Sequence, residues 1–136
     1  MFTTPLRVEI VGEQLFKLTD SLIYEDDNYH IEILEGFVFD GGSIPRLLWG
    51  IVDSPIGGLG SSCFCLHDCL YGTKLLSKEI ADDMLYDTLK ASGVPIMECV
   101  AIHTAVRLYG GESYEREDNA YLYWDYVKIQ SKEKGE

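Results

Sequence analysis

Basic residues are scarce in this sequence of 136 residues. Lys and Arg together number 11 against 23 Asp and Glu, and the formal net charge is −12 at pH 7. Direct binding of nucleic acid is not expected, because phosphate contacts need clustered Lys and Arg side chains. An acidic surface suits a soluble protein or, alternatively, one that mimics DNA and occupies a basic partner.

Long apolar runs and secretion signals are also lacking. No apolar run approaches the roughly 20 residues of a membrane-spanning helix, and residues 1–5 have neither a basic start nor an apolar core. We therefore expect no membrane association and a cytoplasmic location. The cysteines are then predicted to be reduced thiols that pack as small hydrophobic side chains, namely Cys63, Cys65, Cys69 and Cys99.

The length suits one globular core, so a single domain over residues 1–136 is expected. Residues 6–40 mostly alternate apolar and polar side chains, which predicts an N-terminal antiparallel sheet of about four strands. Helical spacing follows at about 61–72, 78–93 and 95–110, and a last helix is predicted from Tyr121 into the charged tail. The fold class is therefore α+β, with three or four packed helices after the sheet. The third helix is apolar nearly all round, which predicts that it is the buried centre of the helical half.

The stretch 62–71 (SCFCLHDCLY) places polar groups within an apolar helix. His67 and Asp68 are angular neighbours there, and Tyr71 follows His67 by one turn. On the next helix, Asp82 lies at the margin of the apolar face, whereas Asp83 faces solvent. Asp40 ends a predicted strand in front of a glycine-rich loop, where side chains and backbone amides can both meet a ligand.

These residues predict a pocket formed by three segments of the chain. A His/Asp pair can deprotonate water, and a histidine with two or three carboxylates can instead hold a divalent cation that activates water. A third interpretation is structural: Asp68 or Asp82 pairs with Arg46 or Arg107 in a buried ion pair. The candidate catalytic residues are His67, Asp68, Asp82 and Asp40, the candidate ligand-binding residues are Ser43, Arg46 and Tyr71, and the candidate cation ligands are His67, Asp68 and Asp82.

A separate zinc hypothesis uses residues four apart on two helices. Cys65 and Cys69 share one helical face, and Cys99 and His103 share another, so four ligands would converge if the two faces met. The alternative is that these cysteines fill apolar space between the helices.

Several blocks resemble the signature of a small family of unknown function that tailed phages and prophages mainly encode. That signature is G-F-x-T-D-x-A-S-[IV]-P-R, then H-D-x-L-Y and A-D; the matching residues are 36–46 (GFVFDGGSIPR), 67–71 (HDCLY) and 81–82 (AD). Phe39 stands where the family has threonine, and Gly42 where it has alanine. The resemblance implies a phage origin and a shared site around Asp40, His67, Asp68 and Asp82, but no function. A second likeness, to secreted phospholipases A2, rests on the His-Asp and tyrosine spacing, but the cysteines here are too few and differently spaced.

Three functions follow from these patterns. The first is a hydrolase-like protein of a phage, with or without a divalent cation, acting in the cytoplasm of the bacterial host. The second is a non-enzymatic protein that binds a phage or host protein, either in the virion or its assembly or as an acidic inhibitor of a host defence protein. The third is a binder of a small polar metabolite through Arg46 and the glycine-rich loop. Aromatic residues at 121–126 suit either a docking or self-association surface, and so a homo-oligomer, or packing in the core.

Overall fold

The computed structural model of the protein describes residues 1–13, 15–40, 60–115 and 124–132. The strands are β1 (Val8–Gly12), β2 (Leu15–Leu18), β3 (Leu22–Glu25), β4 (Tyr29–Ile33), β5 (Val38–Phe39) and β6 (Val127–Ser131). The helices are α1 (Ser61–Thr73), α2 (Lys78–Ala91), α3 (Ile96–Tyr109) and the short α4 (Gly111–Glu115). The predicted α+β class, with strands first and helices after them, is confirmed. Among the described helices, none combines the length and the apolar character that crossing a bilayer requires.

The described strands form two antiparallel three-stranded sheets, in the orders β1-β2-β5 and β3-β4-β6. The tight turn between β3 and β4 is held by Asp26, whose carboxylate accepts hydrogen bonds from the backbone N–H groups of Asn28 and Tyr29, both at 2.7 Å. Asp and Asn favour such turns because their side chains bond to nearby backbone groups. His30 on β4 is half-buried and contacts Glu25 at 2.6 Å, within the same hairpin.

The last strand corrects the prediction of a C-terminal helix. Residues 127–131 alternate apolar and polar side chains, and β6 pairs antiparallel with β4, with Ile129 opposite Ile31 and Val127 opposite Ile33. The hydrophobic effect favours this strand because Val127 is buried against the core. A strand that comes last in the chain thus completes a sheet that begins near its N-terminus.

The central helix of the fold is α1. It buries ten of its 13 residues, and it contributes side chains to both hydrophobic clusters, one shared with the sheets and one shared with α2 and α3. Tyr71 near the end of α1 contacts Asp82 near the start of α2, whereas Cys63 near the start of α1 contacts Ser92 just after α2. The two helices therefore form an antiparallel hairpin. Ser77 caps α2 by accepting a hydrogen bond from Ile80 N at 3.2 Å.

The prediction that α3 is the buried centre is wrong. Its inner side packs on α1 and α2 through Cys99, Ile102 and Val106, but Met97 is 78% exposed and Leu108 is 66% exposed. A helix that is apolar all round carries no information about which side meets the core. That side is decided by the elements packed against it.

Candidate functional site

The buried carboxylate of Asp82 lies where α1, α2 and α3 meet. The side chain has no exposed surface, and its Oδ1 accepts hydrogen bonds from Tyr71 Oη at 2.5 Å and His67 Nε2 at 2.9 Å. Its Oδ2 accepts a hydrogen bond from Lys78 Nζ at 2.8 Å. A charge that is fully removed from water needs partners of this kind. We call Asp82, His67, Tyr71 and Lys78 the Asp82 cluster.

The protonation state of Asp82 follows from these contacts. Burial by itself raises the pKa of a carboxyl group, but the hydrogen bonds from His67, Lys78 and Tyr71 outweigh it and lower the pKa of Asp82 to about 2. Asp82 is therefore ionised at neutral pH. Burial, and the hydrogen bond to Asp82, raise the pKa of the Tyr71 phenol, so Tyr71 remains a hydrogen-bond donor.

His67 is a neutral imidazole. Burial lowers its pKa from 6.5, against the opposing effect of the neighbouring carboxylate, and only 1% of the residue is exposed. Because a carboxylate can only accept, Nε2 of His67 carries the proton and Nδ1 carries the lone pair. The His67 and Tyr71 rings lie 4.1 Å apart between centroids, which restricts the rotation of the imidazole. The cluster thus fixes one tautomer and one orientation of His67.

Two basic side chains connect the cluster to α3. Lys78 Nζ also donates to the backbone oxygen of Val106 at 2.8 Å, so one ammonium group joins Asp82 to the last turn of α3. Arg107 Nε lies 3.5 Å from Asp82 Oδ2 and has no hydrogen-bond partner among the residues that the structure describes, while its Nη2 donates to Asp83 at 2.8 Å. The structural pairing of Asp82 with Arg107 that the sequence suggests is thus present, but Lys78 is the closer cation.

The structure brings together only part of the predicted site. His67, Tyr71 and Asp82 are in direct contact, whereas Asp68 is the next residue along α1 and is half-buried, and Asp40 is exposed at the end of β5. The carboxylate that holds Nε2 of His67 is Asp82. Ser43 and Arg46 lie outside the described residues.

Two of the cluster's features were not predicted from the sequence. Lys78 precedes Asp82 by four residues on α2, and this spacing is itself a signal for an ion pair on a helix. Gly110 lies against the cluster from the end of α3: a Cβ atom there would be 2.7 Å from Tyr71 Oη and 2.5 Å from the backbone oxygen of Val106. No sequence pattern indicates this close approach, because Gly110 follows α3 whereas Tyr71 belongs to α1, far away in the sequence.

The donor set does not form a cation site. Both oxygens of Asp82 already accept hydrogen bonds, one of them from an ammonium group, so the carboxylate is occupied. In the described part of the chain, no group of three or more His, Cys, Asp or Glu side chains is placed to hold a metal ion. The trio of His67, Asp68 and Asp82 is therefore not arranged as cation ligands.

The zinc ligands considered from the sequence do not converge either. Cys65 and Cys69 pack in the cluster shared with the sheets, Cys99 packs in the cluster shared with α2 and α3, and His103 contacts Asp83. All four cysteines of the chain are free and buried. Burial raises the pKa of the thiols of Cys65, Cys69 and Cys99, which keeps them protonated and apolar. Their role as small hydrophobic side chains follows.

A second histidine and aspartate pair lies on the surface. His103 Nε2 on α3 is 2.9 Å from Asp83 Oδ1 on α2, the same separation as in the buried pair of His67 and Asp82. The Asp83 side chain is 63% exposed, as its solvent-facing position on α2 predicts. This pair borders an open groove of about 270 Å³ lined by Asp83, Tyr86, Asp87 and His103.

All four residues of the Asp82 cluster lie within a stretch shared with other proteins. A family model described as Protein of unknown function (DUF1353) matches residues 16–106, which is more than half of the chain and includes Asp40, His67, Asp68 and Asp82. No curated protein and no solved structure matches the chain. The matched stretch contains nearly all of β2, then β3 to β5, α1, α2 and most of α3. The chain therefore belongs to the DUF1353 family of proteins of unknown function.

Proposed function

We propose that this protein is a hydrolase-like enzyme in which His67 acts as a general base and Asp82 positions it. In this reaction Nδ1 of His67 takes a proton from water, and the resulting hydroxide attacks the electrophilic atom of the substrate. The imidazolium that forms is stabilised by ionised Asp82 through Nε2–H. The proton then passes from Nδ1 to the leaving group, which returns His67 to its neutral form.

The observation that carries this proposal is the locked, neutral imidazole beside an ionised carboxylate. Asp82 keeps its charge because its pKa is lowered to about 2, and His67 keeps its lone pair on Nδ1 because its pKa is lowered from 6.5. A base must be unprotonated at working pH, and an adjacent carboxylate lowers the cost of charging it. The sequence suggested Asp68 as the carboxylate that pairs with His67, and we propose Asp82 for this role instead.

The remaining candidate residues are proposed contacts for the substrate. Asp40 and Asp68 belong to the family stretch and are not members of the Asp82 cluster, and we propose that they contact the substrate beside His67. If the reaction uses a divalent cation, these two carboxylates are the proposed ligands, because the oxygens of Asp82 are occupied. Since His67 is only 1% exposed, productive binding has to open a path to its imidazole.

The test is turnover of a substrate panel by wild-type protein and by His67→Gln. The panel contains p-nitrophenyl esters, p-nitrophenyl phosphates, nucleotides and peptidoglycan fragments, each with Mg²⁺, Mn²⁺ or EDTA; cell-wall fragments are included because of the phage origin that the sequence resemblance implies. We expect His67→Gln to lower kcat by about 10²–10⁴-fold with little change in KM. His103→Gln, which alters the surface pair with the same separation, should keep the wild-type kcat.

Two outcomes would overturn the proposal. Wild-type protein that turns over no member of the panel under any condition argues against an enzyme. Turnover that survives in His67→Gln shows that another residue is the base. If wild-type protein is inactive and His67→Gln also unfolds at a much lower temperature than His103→Gln, then the Asp82 cluster is a structural ion-pair network.

A further inference from the structure

The outer face of α3 carries an exposed stripe of three apolar residues and one threonine. Met97, Val100, Thr104 and Leu108 recur at intervals of three and four residues, so they lie on one side of the helix. Val100 is 47% exposed, and Met97 and Leu108 are exposed to a still greater extent. We call these four residues the α3 stripe. Large apolar side chains aligned on one helical face are typical of a surface that binds another protein.

An acidic row runs beside the stripe. Glu79, Asp83 and Asp87 follow one another at four-residue spacing on α2, and all three are exposed. The two helices meet along this line, because His103 and Arg107 of α3 both contact Asp83. Val100 lies one turn before His103, so the stripe borders the groove formed by Asp83, Tyr86, Asp87 and His103.

The charge balance of this face is negative. The basic residues beside the acidic row are Arg107, which is paired with Asp83, and Lys90, which lies at the end of α2. Asp87 and Glu79 add further negative charge, and the whole chain carries a net charge of −12. A second copy of this chain would bring the same charge to the contact, and like charges repel. A basic occupant is favoured instead.

We propose that the α3 stripe and the acidic row together bind a basic amphipathic helix of another protein. The stripe extends over residues 97–108, about 16 Å along the helix axis, and the acidic row over residues 79–87, about 12 Å. These lengths match three turns of a partner helix whose apolar face packs on the stripe. Lys or Arg side chains on its flank would then reach Asp83 and Asp87, and Tyr86 offers an aromatic ring for a cation.

The experiment measures binding of a model helix to the full chain by fluorescence anisotropy. The probe is a labelled amphipathic peptide of about 18 residues built from Leu and Lys, and its matched control replaces Lys by Glu. We expect the Leu/Lys peptide to bind and the Leu/Glu peptide not to bind. The double variant Met97→Ser and Leu108→Ser should weaken binding at least tenfold, and Asp87→Asn several-fold. Ile10→Ser should leave binding unchanged, because Ile10 is 75% exposed on β1, outside the proposed surface.

Three results would overturn the proposal. If the double variant binds the Leu/Lys peptide as tightly as wild-type protein, the attraction is charge alone and the stripe has no part in it. If neither peptide binds, the face does not accept helices of this chemistry. If light scattering shows a wild-type dimer that the double variant converts to monomer, the occupant of the stripe is a second copy of the chain.

Discussion

At the scale of single residues, Asp82 is a buried charge that depends on several hydrogen-bond partners. Its carboxylate is fully buried and ionised, and it accepts hydrogen bonds from an imidazole, a phenol and an ammonium group. Desolvation of such a charge costs several kcal/mol, and the contacts offset that cost only as long as all of them are present. A change that removes the charge therefore leaves the ammonium group of Lys78 without its counter-ion.

Replacement of this one carboxylate should be far more costly than replacement of its neighbour. We expect Asp82→Asn to lower the free energy of unfolding by about 3 kcal/mol, because it breaks a buried ion pair. Asp83→Asn, the matched control, should lower it by less than about 1 kcal/mol, because the Asp83 side chain is 63% exposed and its ion pairs are screened. Urea denaturation of the two variants measures the difference. Equal losses would mean that the Asp82 charge is not uniquely stabilised.

At the scale of the elements, α1, α2 and α3 converge at the C-terminal end of α3. Lys78 binds the Val106 carbonyl there, and Gly110 packs against the Tyr71 hydroxyl. The backbone of Gly110 has φ −83° and ψ −6°, a conformation open to any residue. Glycine is required at this position because there is no space for a side chain. Without a Cβ atom, the end of α3 can pack directly against the Asp82 cluster.

The consecutive glycines at the end of α3 provide a matched pair for a test of this packing. A Cβ atom at Gly110 would lie 2.5 Å from the Val106 oxygen and 2.7 Å from Tyr71 Oη, whereas one at Gly111 meets nothing within 4 Å. We expect Gly110→Ala to cost about 1–3 kcal/mol by overpacking. Gly111→Ala should be neutral or stabilising by up to about 1 kcal/mol, because alanine restricts the unfolded chain. Thermal unfolding distinguishes them, and similar melting temperatures would contradict the packing described.

At the scale of the whole molecule, acid should destabilise this protein through two buried groups, His67 and Asp82. The pKa of His67 is lower in the folded state than its ordinary value of 6.5, so the unfolded chain binds more protons just below that value. Its contribution to stability is complete above pH 6.5 and is lost as the pH falls toward the lowered pKa. The pKa of Asp82 is lowered from 3.8 to about 2, so its contribution to stability is likewise lost as the pH falls from 3.8 toward 2.

The effect of His67 can be isolated by a variant. We expect the free energy of unfolding of wild-type protein to decrease between about pH 6.5 and pH 5, and that of His67→Gln to decrease less over the same range. Urea denaturation at several pH values gives both slopes. If the slopes are identical, His67 is not held neutral by the fold, and the proposed general base loses its support.

The sequence predicted the parts of the fold that local physics controls. Apolar and polar alternation indicated β4, helical spacing from residue 78 indicated α2, and the position of Asp82 on the margin of the apolar face distinguished it from the solvent-facing Asp83. Each of these signals lies within a few residues of the feature it predicts. These signals can therefore be recognised without knowledge of the rest of the chain.

Long-range packing decided what the sequence could not. The residues 127–131 become a strand because β4 has a free edge to pair with, and α3 exposes Met97 and Leu108 because α1 occupies the centre instead. The partner of His67 was ambiguous for the same reason: Asp68 is adjacent in sequence, but Asp82 is adjacent in space.

The sequence by itself therefore determined the α+β class, most of the described helices and strands, and the candidate residues His67, Tyr71 and Asp82. Tertiary structure alone decided that these three side chains bond to one another, that Lys78 and the end of α3 complete the cluster, and that the zinc ligands do not meet. The physical reason is that periodicity records which face of an element avoids water. The identity of the residue across the interface depends on how the faces pack.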